Sequence, residues 1–438
     1  MKKLLSLFLS VCCTLPLAAC TDEPADTSAT TAATTTPTVT DPPVTKPEKT
    51  PLTDAQRMLS VGEDGFIYNG MGEEVVLRGI NLGGWMLQET WMCPVVGSEC
   101  NLDSINLLKS RGFTDEQIET LFITYADNFI TEQDIQNIAE MNVNCIRLPF
   151  WYRNFMDDNL NFYTEDPADN PGFRLIDRLV GWAEKYDIYV ILDLHGCPGG
   201  QSTDHTTGTL NKNELYTDEA NLDAMERLWE AVAERYKDSG TVCAYDIMNE
   251  PMNNNTEVEN GWPAGSETAI AYTHMVYDRM YAAIRAIDTN HMISVEGIWT
   301  PECFPDPVEH GYTNMLYQLH LYDKTMDMLE LRVNQLCEIR QKWGVAVYAG
   351  EFNNGDDLYD DALKLYRDNK INCTAWTYKV TYDYHGNWSV YRANITPADL
   401  AGDSYEEILE KWGECLQSTS KGWSVNTTLK NWLSRYYR

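Results

Sequence analysis

The stretches Val242-Cys-Ala-Tyr-Asp-Ile-Met-Asn-Glu-Pro251 and Val345-Ala-Val-Tyr-Ala-Gly-Glu-Phe-Asn353 decide the reading of this chain. Each is an apolar, strand-like run that stops at a glutamate, Glu250 in the first and Glu351 in the second. A parallel barrel carries its chemistry at the C-terminal ends of its strands, so a β-run closed by a carboxylate suits its mouth. Either glutamate alone would be an ordinary strand-end acid in solvent. Two of them, at equivalent ends of separate runs, predict a pair that works together.

Outward from these, six more runs have the same character: Val75 to Leu82, Asn144 to Phe150, Ile188 to His195, Met292 to Gly297, Met315 to Tyr322 and Cys373 to Tyr378. Stretches with apolar residues at helical spacing lie between them, among them Phe173 to Tyr186, Glu219 to Tyr236, Glu267 to Ile287 and Met326 to Trp343. Apolar strands alternating with helices predict a parallel sheet covered on its outer face. Eight such units predict an α/β fold, a (β/α)8 TIM barrel, as a single catalytic domain over residues 52–438. The crossover between the fifth and sixth strands is the exception, because Thr300 to Gly311 is proline-rich and shows no clear helix.

Residues 1–19 have the form of a signal peptide: Lys2 and Lys3, an apolar stretch from Leu4 to Leu17, then Ala18 and Ala19. Leu17-Ala-Ala-Cys20 resembles the bacterial lipobox, which implies cleavage before Cys20 and lipid attachment to it. Residues 20–51 are rich in Thr, Pro, Ala and Asp and have no aromatic group, so they are expected to form a disordered, lipid-anchored linker. Together these segments predict a secreted protein held at the bacterial cell surface by an N-terminal lipid in the membrane.

The full chain carries 33 basic and 66 acidic residues; loss of Lys2 and Lys3 with the signal leaves 31 against 66, a net charge of −35. Such a surface repels nucleic acid, which is excluded as a partner. An uncharged polymer is indifferent to that field, and the acidity serves solubility. Nine of the twelve cysteines fall in the domain. Cys145, Cys243 and Cys373 sit inside strand-like runs and read as small buried hydrophobes. Cys93 and Cys100 flank a short loop and either bridge or stay free. No Cys-x-x-Cys or His-x-x-x-His spacing is present in the domain, so no metal and no cofactor is expected.

Polar residues gather at the ends of the runs: Arg147 in the second, His195 in the third, Asn249 and Glu250 in the fourth, His320 and Tyr322 in the sixth, Glu351 in the seventh and Trp376 in the eighth. This set and order resemble glycoside hydrolase family 5, the cellulase-type barrels, over the whole domain after the linker. The resemblance implies hydrolysis of a glycosidic bond by two carboxyl groups. Glu250 would be the acid/base and Glu351 the nucleophile. Arg147 and Tyr322 would favour the charged form of Glu351 by charge and by hydrogen bond. Asn249 would hold a sugar 2-hydroxyl, His195 and His320 would orient hydroxyls and carboxylates, and Trp376 would lie under the sugar ring. Trp182 and Trp229, at helical spacing, read as core.

Arg78-Gly-Ile-Asn-Leu-Gly-Gly-Trp-Met-Leu-Gln-Glu89 and Asp193-Leu-His-Gly-Cys-Pro-Gly-Gly-Gln201 are similar to the exo-β-1,3-glucanase branch. That likeness makes Glu89 a candidate for binding a terminal glucose. Phe150-Trp-Tyr152 departs from the branch, which usually has Gly-Tyr-Trp there. Long segments after the first and third strands, Thr90 to Asn128 and Gly199 to Tyr216, belong to the side of a barrel that builds its mouth. The aromatic-rich stretches Tyr382 to Tyr391 and Trp299 to Phe304 would wall a pocket or line a groove. The expected activity is retaining hydrolysis of β-glucan, exo-acting on β-1,3-glucan or its oligosaccharides, by a monomer. The alternatives are an endo-β-1,4- or mixed-linkage glucanase, and a surface lipoprotein that binds sugar without turnover.

The lipobox reading is checked by Cys20→Ser followed by cell fractionation. The variant is expected to leave the membrane fraction, and retention there would place the anchor elsewhere.

Overall fold

The computed structural model describes residues 51–252, 262–381 and 387–437. The signal peptide, Cys20 and the linker up to Thr50 lie outside the described residues, as does 382–386 of the expected aromatic stretch. Eight strands, β1 (Arg78–Asn81), β2 (Cys145–Trp151), β3 (Tyr189–Gly196), β4 (Val242–Asp246), β5 (Met292–Glu296), β6 (Met315–Leu321), β7 (Ala346–Phe352) and β8 (Asn372–Ala375), close into one barrel. All eight pairings are parallel and follow chain order, and the ring is sealed where Cys373 of β8 pairs with Arg78 of β1. The expected TIM barrel is therefore the fold.

Helices Pro171–Lys185, Glu219–Tyr236, Glu267–Ile287 and Met326–Trp343 stand where the apolar spacing places them. Glu219–Tyr236 shows why: Leu222, Met225, Leu228, Trp229, Val232 and Tyr236 are all buried, a stripe that recurs every three or four residues and faces the sheet. Trp229 is fully buried and its indole donates to the Ile247 carbonyl at 3.2 Å, while Trp182 is half-buried at the edge of the core. The fifth crossover has only a turn at Pro301–Cys303 and one helical turn at Pro307–His310. Its prolines withdraw the N–H groups that a longer helix would need.

Three strand ends differ from expectation by three residues, the first being that of β8, which stops at Ala375 rather than Tyr378. Val75 belongs not to β1 but to a small antiparallel sheet, Ser60–Val61, Ile67–Tyr68 and Glu74–Val75. Ile67 of that sheet shares a buried cluster with Leu59 and with Leu77, Cys145, Tyr189, Cys243, Met292 and Leu316, which stand at or beside the starts of barrel strands. The sheet thus plugs the end of the barrel opposite the mouth. β4 stops at Asp246, short of Asn249, and the chain then turns, with positive φ angles of 38° at Glu250 and 60° at Met252. Cys145, Cys243 and Cys373 are buried as expected, and Cys93 and Cys100 are both free thiols.

The segment after β1 forms helices Asn101–Ser110, Asp115–Phe129 and Glu132–Ala139, and the segment after β3 is mostly irregular. The two segments join where the Leu102 N–H donates to the Gly208 carbonyl at 3.0 Å.

Gly79 of β1 lies between β2 and β8, where a Cβ would meet the Thr374 Cγ2 and, at 2.6 Å, the Cys145 carbonyl oxygen. Gly79→Ala is expected to cost about 1–3 kcal/mol by overpacking, read as a lower urea midpoint at unchanged m-value. An unchanged midpoint would show that the barrel yields at this seam.

Candidate active site

Arg147, from the middle of β2, has no exposed surface and reaches into the barrel axis. Its guanidinium donates to Asp246 Oδ2 at 2.9 Å, Glu351 Oε1 at 2.9 Å, Asn249 Oδ1 at 2.9 Å and Asn81 Oδ1 at 3.2 Å, and pairs with Asp193 Oδ2 at 3.1 Å. Burial works against its charge, yet the carboxylates of Asp193, Asp246 and Glu351 outweigh that and hold it firmly protonated. One cation thus ties side chains from β1, β3, β4 and β7 to β2.

The two strand-end glutamates converge. Glu351, near the end of β7, accepts from Arg147 through one oxygen and from the Tyr322 hydroxyl through the other, at 2.7 Å. Both partners donate, one to each oxygen, and fix the carboxyl where it lines the mouth. Glu250 lies 2.8 Å from His320 Nδ1, and that same nitrogen lies 3.5 Å from Glu351 Oε2. The two carboxyl oxygens therefore stand no further apart than these two distances laid end to end.

His195 is set by Asp193, whose Oδ2 lies 2.7 Å from Nδ1, while its Nε2 faces the Asn249 amide at 3.3 Å. Its ring stacks on Trp376 at 5.6 Å between centroids. Burial depresses both His195 and His320 to about 4, so both are neutral imidazoles near pH 7. Burial also pushes Asp193 up to about 7 against the pull of Arg147, and raises Asp246 in the same way. With one guanidinium among several carboxyl groups, burial forces some of them to keep protons.

Gln201, the last residue of the Asp193-to-Gln201 motif, braces the site from behind. Its amide donates to the carbonyls of His195 at 2.8 Å and Asn249 at 2.9 Å, and its oxygen accepts from the Cys197 N–H at 3.0 Å. The motif thus locks the end of β3 to the chain after β4.

All nine folded residues expected at the site are brought to one mouth. Glu89, Trp91, His195, Asp204, His205, Glu250, Tyr322, Glu351, Trp376 and Trp388 line a pocket of about 360 Å³. Arg147, Asn249 and His320 lie beneath them. Glu89 is buried, accepts from the Trp91 indole at 2.6 Å and lies 4.0 Å from His205 Nε2. Burial pushes it up to about 8 against the Trp91 hydrogen bond and the His205 charge. Trp151, where the motif departs from Gly-Tyr-Trp, packs so tightly under the loop after β3 that a Cβ on Gly208 would lie 3.0 Å from its ring.

The sequence reading missed Asp193, Asp246 and Glu296, each of which is a lone acid inside an apolar β-run and was visible as such. It also missed Trp91 and His205, and nothing in the Thr-rich neighbourhood of His205 marks that residue. Ligand atoms of Glu250, Glu296 and His320 come within 4.8 Å of one another, close enough for a shared ion. Hydrogen bonds among these three residues account for their convergence, so no metal is assigned to them.

A closed parallel barrel with two glutamates meeting over a buried arginine defines a paired-carboxylate barrel hydrolase. The chain belongs to glycosyl hydrolase family 5: residues 106–381, well over half of its length, match the family model described as Cellulase (glycosyl hydrolase family 5). That span takes in β2 to β8. The chain is 28% identical over 383 residues to a β-xylosidase of Phanerodontia chrysosporium, covering 78% of this chain and 75% of that protein. It is 29% identical over 193 residues to a probable glucan 1,3-β-glucosidase A of Aspergillus fumigatus, covering 42% of each. It is 32% identical over 177 residues to endoglucanase C of Acetivibrio thermocellus, covering 39% of each, so these last two matches span less than half of either relative.

Glu89 yields a test of site electrostatics. Folded, it keeps its proton up to about pH 8; unfolded, it releases it near the ordinary 4.5. Between those values the unfolded state binds fewer protons, so stability falls as pH rises through the window. Glu89→Gln removes that slope. Its unfolding free energy from urea titration, relative to wild type, is expected to climb between roughly pH 4.5 and 8, toward a gain on the order of a few kcal/mol, and to level off outside that range. Parallel curves across the range would show that Glu89 is ionised in the folded protein.

Proposed function

We propose that this protein is a retaining β-glycosidase of β-glucan that releases terminal glucose from β-1,3-linked chains. The observation that carries the reading is the His320 nitrogen shared by Glu250 and Glu351, at 2.8 and 3.5 Å. Two carboxyl groups that reach one nitrogen favour the closer spacing of retaining pairs over the roughly 6.5–9.5 Å of inverting ones. Glu351 attacks the anomeric carbon as the bond to the leaving oxygen breaks, and Glu250 gives that oxygen its proton. Water then displaces Glu351 while Glu250 takes the water's proton back. Arg147 and Tyr322 hold Glu351 by hydrogen bonds. Asn249, gripped by Arg147 through its oxygen, turns its amide toward the 2-hydroxyl.

The exo mode is supported by the joined segments after β1 and β3, with Glu89, Trp91 and His205 along one side of the pocket. The names of the β-xylosidase and glucan 1,3-β-glucosidase relatives agree with an enzyme that takes terminal sugars. The endoglucanase match favours a second reading, internal cleavage of β-1,4 or mixed-linkage glucan. Turnover rather than passive sugar binding is supported by the full set of carboxyl groups and their donors. The chain's N-terminal residues up to Cys20 support attachment at the cell surface.

Incubation with laminarin is expected to yield glucose as the first product, in the β-anomeric form by NMR, with little early fall in viscosity. A 2-deoxy-2-fluoro glycoside is expected to label Glu351, and azide to rescue Glu250→Ala on an activated substrate. An α-anomeric first product would refute the retaining scheme. A rapid viscosity drop on barley glucan with oligosaccharides first would replace the exo reading by the endo one, and faster release from aryl β-xylosides than from β-glucosides would change the sugar.

A further inference from the structure

Glu250 occupies a backbone conformation that a side chain disfavours, with φ at 38°, and the chain two residues on is again left-handed at Met252, φ 60°. Such a conformation persists only where its surroundings hold it. The observed hold is Glu296, whose Oε2 accepts the Glu250 N–H at 2.7 Å. Glu296 ends β5 and is itself clamped on both sides by one hydroxyl. Its N–H donates to Tyr277 Oη at 3.1 Å, and its carbonyl accepts from the same Tyr277 hydroxyl at 2.9 Å. Its second oxygen lies 3.6 Å from His320 Nδ1, the atom that contacts the Glu250 carboxyl at 2.8 Å. Glu296 therefore meets Glu250 twice, directly at the backbone and through His320 at the carboxyl. Burial, reinforced by the charge of Glu250, raises Glu296 far above the usual carboxylate range. A neutral carboxyl can sit there without repelling its neighbour.

We propose that Glu296 is the positioning residue of the acid/base: it fixes the backbone of Glu250 so that the carboxyl points at the leaving oxygen. It lies outside the eight strand-end positions on which the resemblance rests. The inference depends on the reading of Glu250 as acid/base.

The consequence is a dependence on leaving group. An alkoxide leaves only with a proton, whereas 2,4-dinitrophenolate leaves without one. A misplaced acid therefore slows glycosylation on the first kind of substrate far more than on the second. The test compares kcat/KM on a disaccharide and on the 2,4-dinitrophenyl glycoside of the sugar that the wild-type enzyme releases. Glu296→Ala is expected to lose about 100-fold on the disaccharide and less than about tenfold on the activated glycoside. Glu296→Gln, whose amide oxygen still accepts the Glu250 N–H, is expected to recover most of the disaccharide activity. Covalent labelling of Glu351 by a 2-fluoro glycoside reports that each variant keeps its folded site. Equal losses on both substrates, no loss on either, or a Gln variant as poor as Ala would each overturn the proposal. Glu250→Ala measured alongside separates the two levels. If it lacks the leaving-group split, the acid/base reading falls; if it has the split and Glu296→Ala does not, only the role of Glu296 falls.

Discussion

The structure depends on one buried guanidinium. Arg147 sits where a barrel of ordinary apolar filling would carry a Leu or Ile, and a charge there is tolerable only if carboxylates and amides surround it. Asp193, Asp246 and Glu351 do so from three other strands, with Asn81 and Asn249 completing the ring. Removing one partner would leave uncompensated charge in a dry interior, so the cluster acts as a unit. Its cost to stability goes with a fixed geometry: a rigid, fully buried cation holds the Glu351 carboxyl in one place at the mouth.

The same burial sorts the remaining groups. His195 and His320 are neutral near pH 7, which leaves each with one ring N–H and one lone pair to place. Asp193 claims the N–H of His195 and so turns Nε2 toward the Asn249 amide. His320 divides one nitrogen among three acids, Glu250, Glu296 and Glu351, and so ties the orientation of all three together. Neutral histidines relay orientation without adding charge to a site already crowded with carboxyl groups.

How much of this was legible in the sequence follows from what periodicity can and cannot carry. Eight strands and four long helices were readable because parallel strands buried on both faces are continuous apolar runs, and the helices between them repeat at another period. Glu250 and Glu351 were readable because each interrupts such a run at its end. The end of β4 was not, since the turn at Glu250 is set by Glu296, 46 residues away in sequence. Val75 reads as part of β1 because an apolar residue before a strand looks the same whether it extends the strand or joins a plug sheet. His205 was invisible for a related reason: its place beside Glu89 comes from the docking of two long segments, and no local pattern encodes that.

The chemistry of the mouth is divided between rigid and adaptable parts of the chain. Arg147, His195, His320, Glu296 and Glu351 stand on strands, where neighbouring ladders fix each Cα, while Glu89, Trp91, His205 and Trp388 come from the connecting segments. Bond cleavage tolerates little displacement of its groups, and strand ends supply that constancy. Recognition of a particular sugar must vary among barrels that share the reaction, and loops change without disturbing the ring. Glu250 belongs to neither group, because it lies four residues beyond β4 on a turn that the ladder does not reach. A carboxyl carried on a turn needs an external hold, and Glu296, on the adjacent strand, accepts the Glu250 N–H at 2.7 Å.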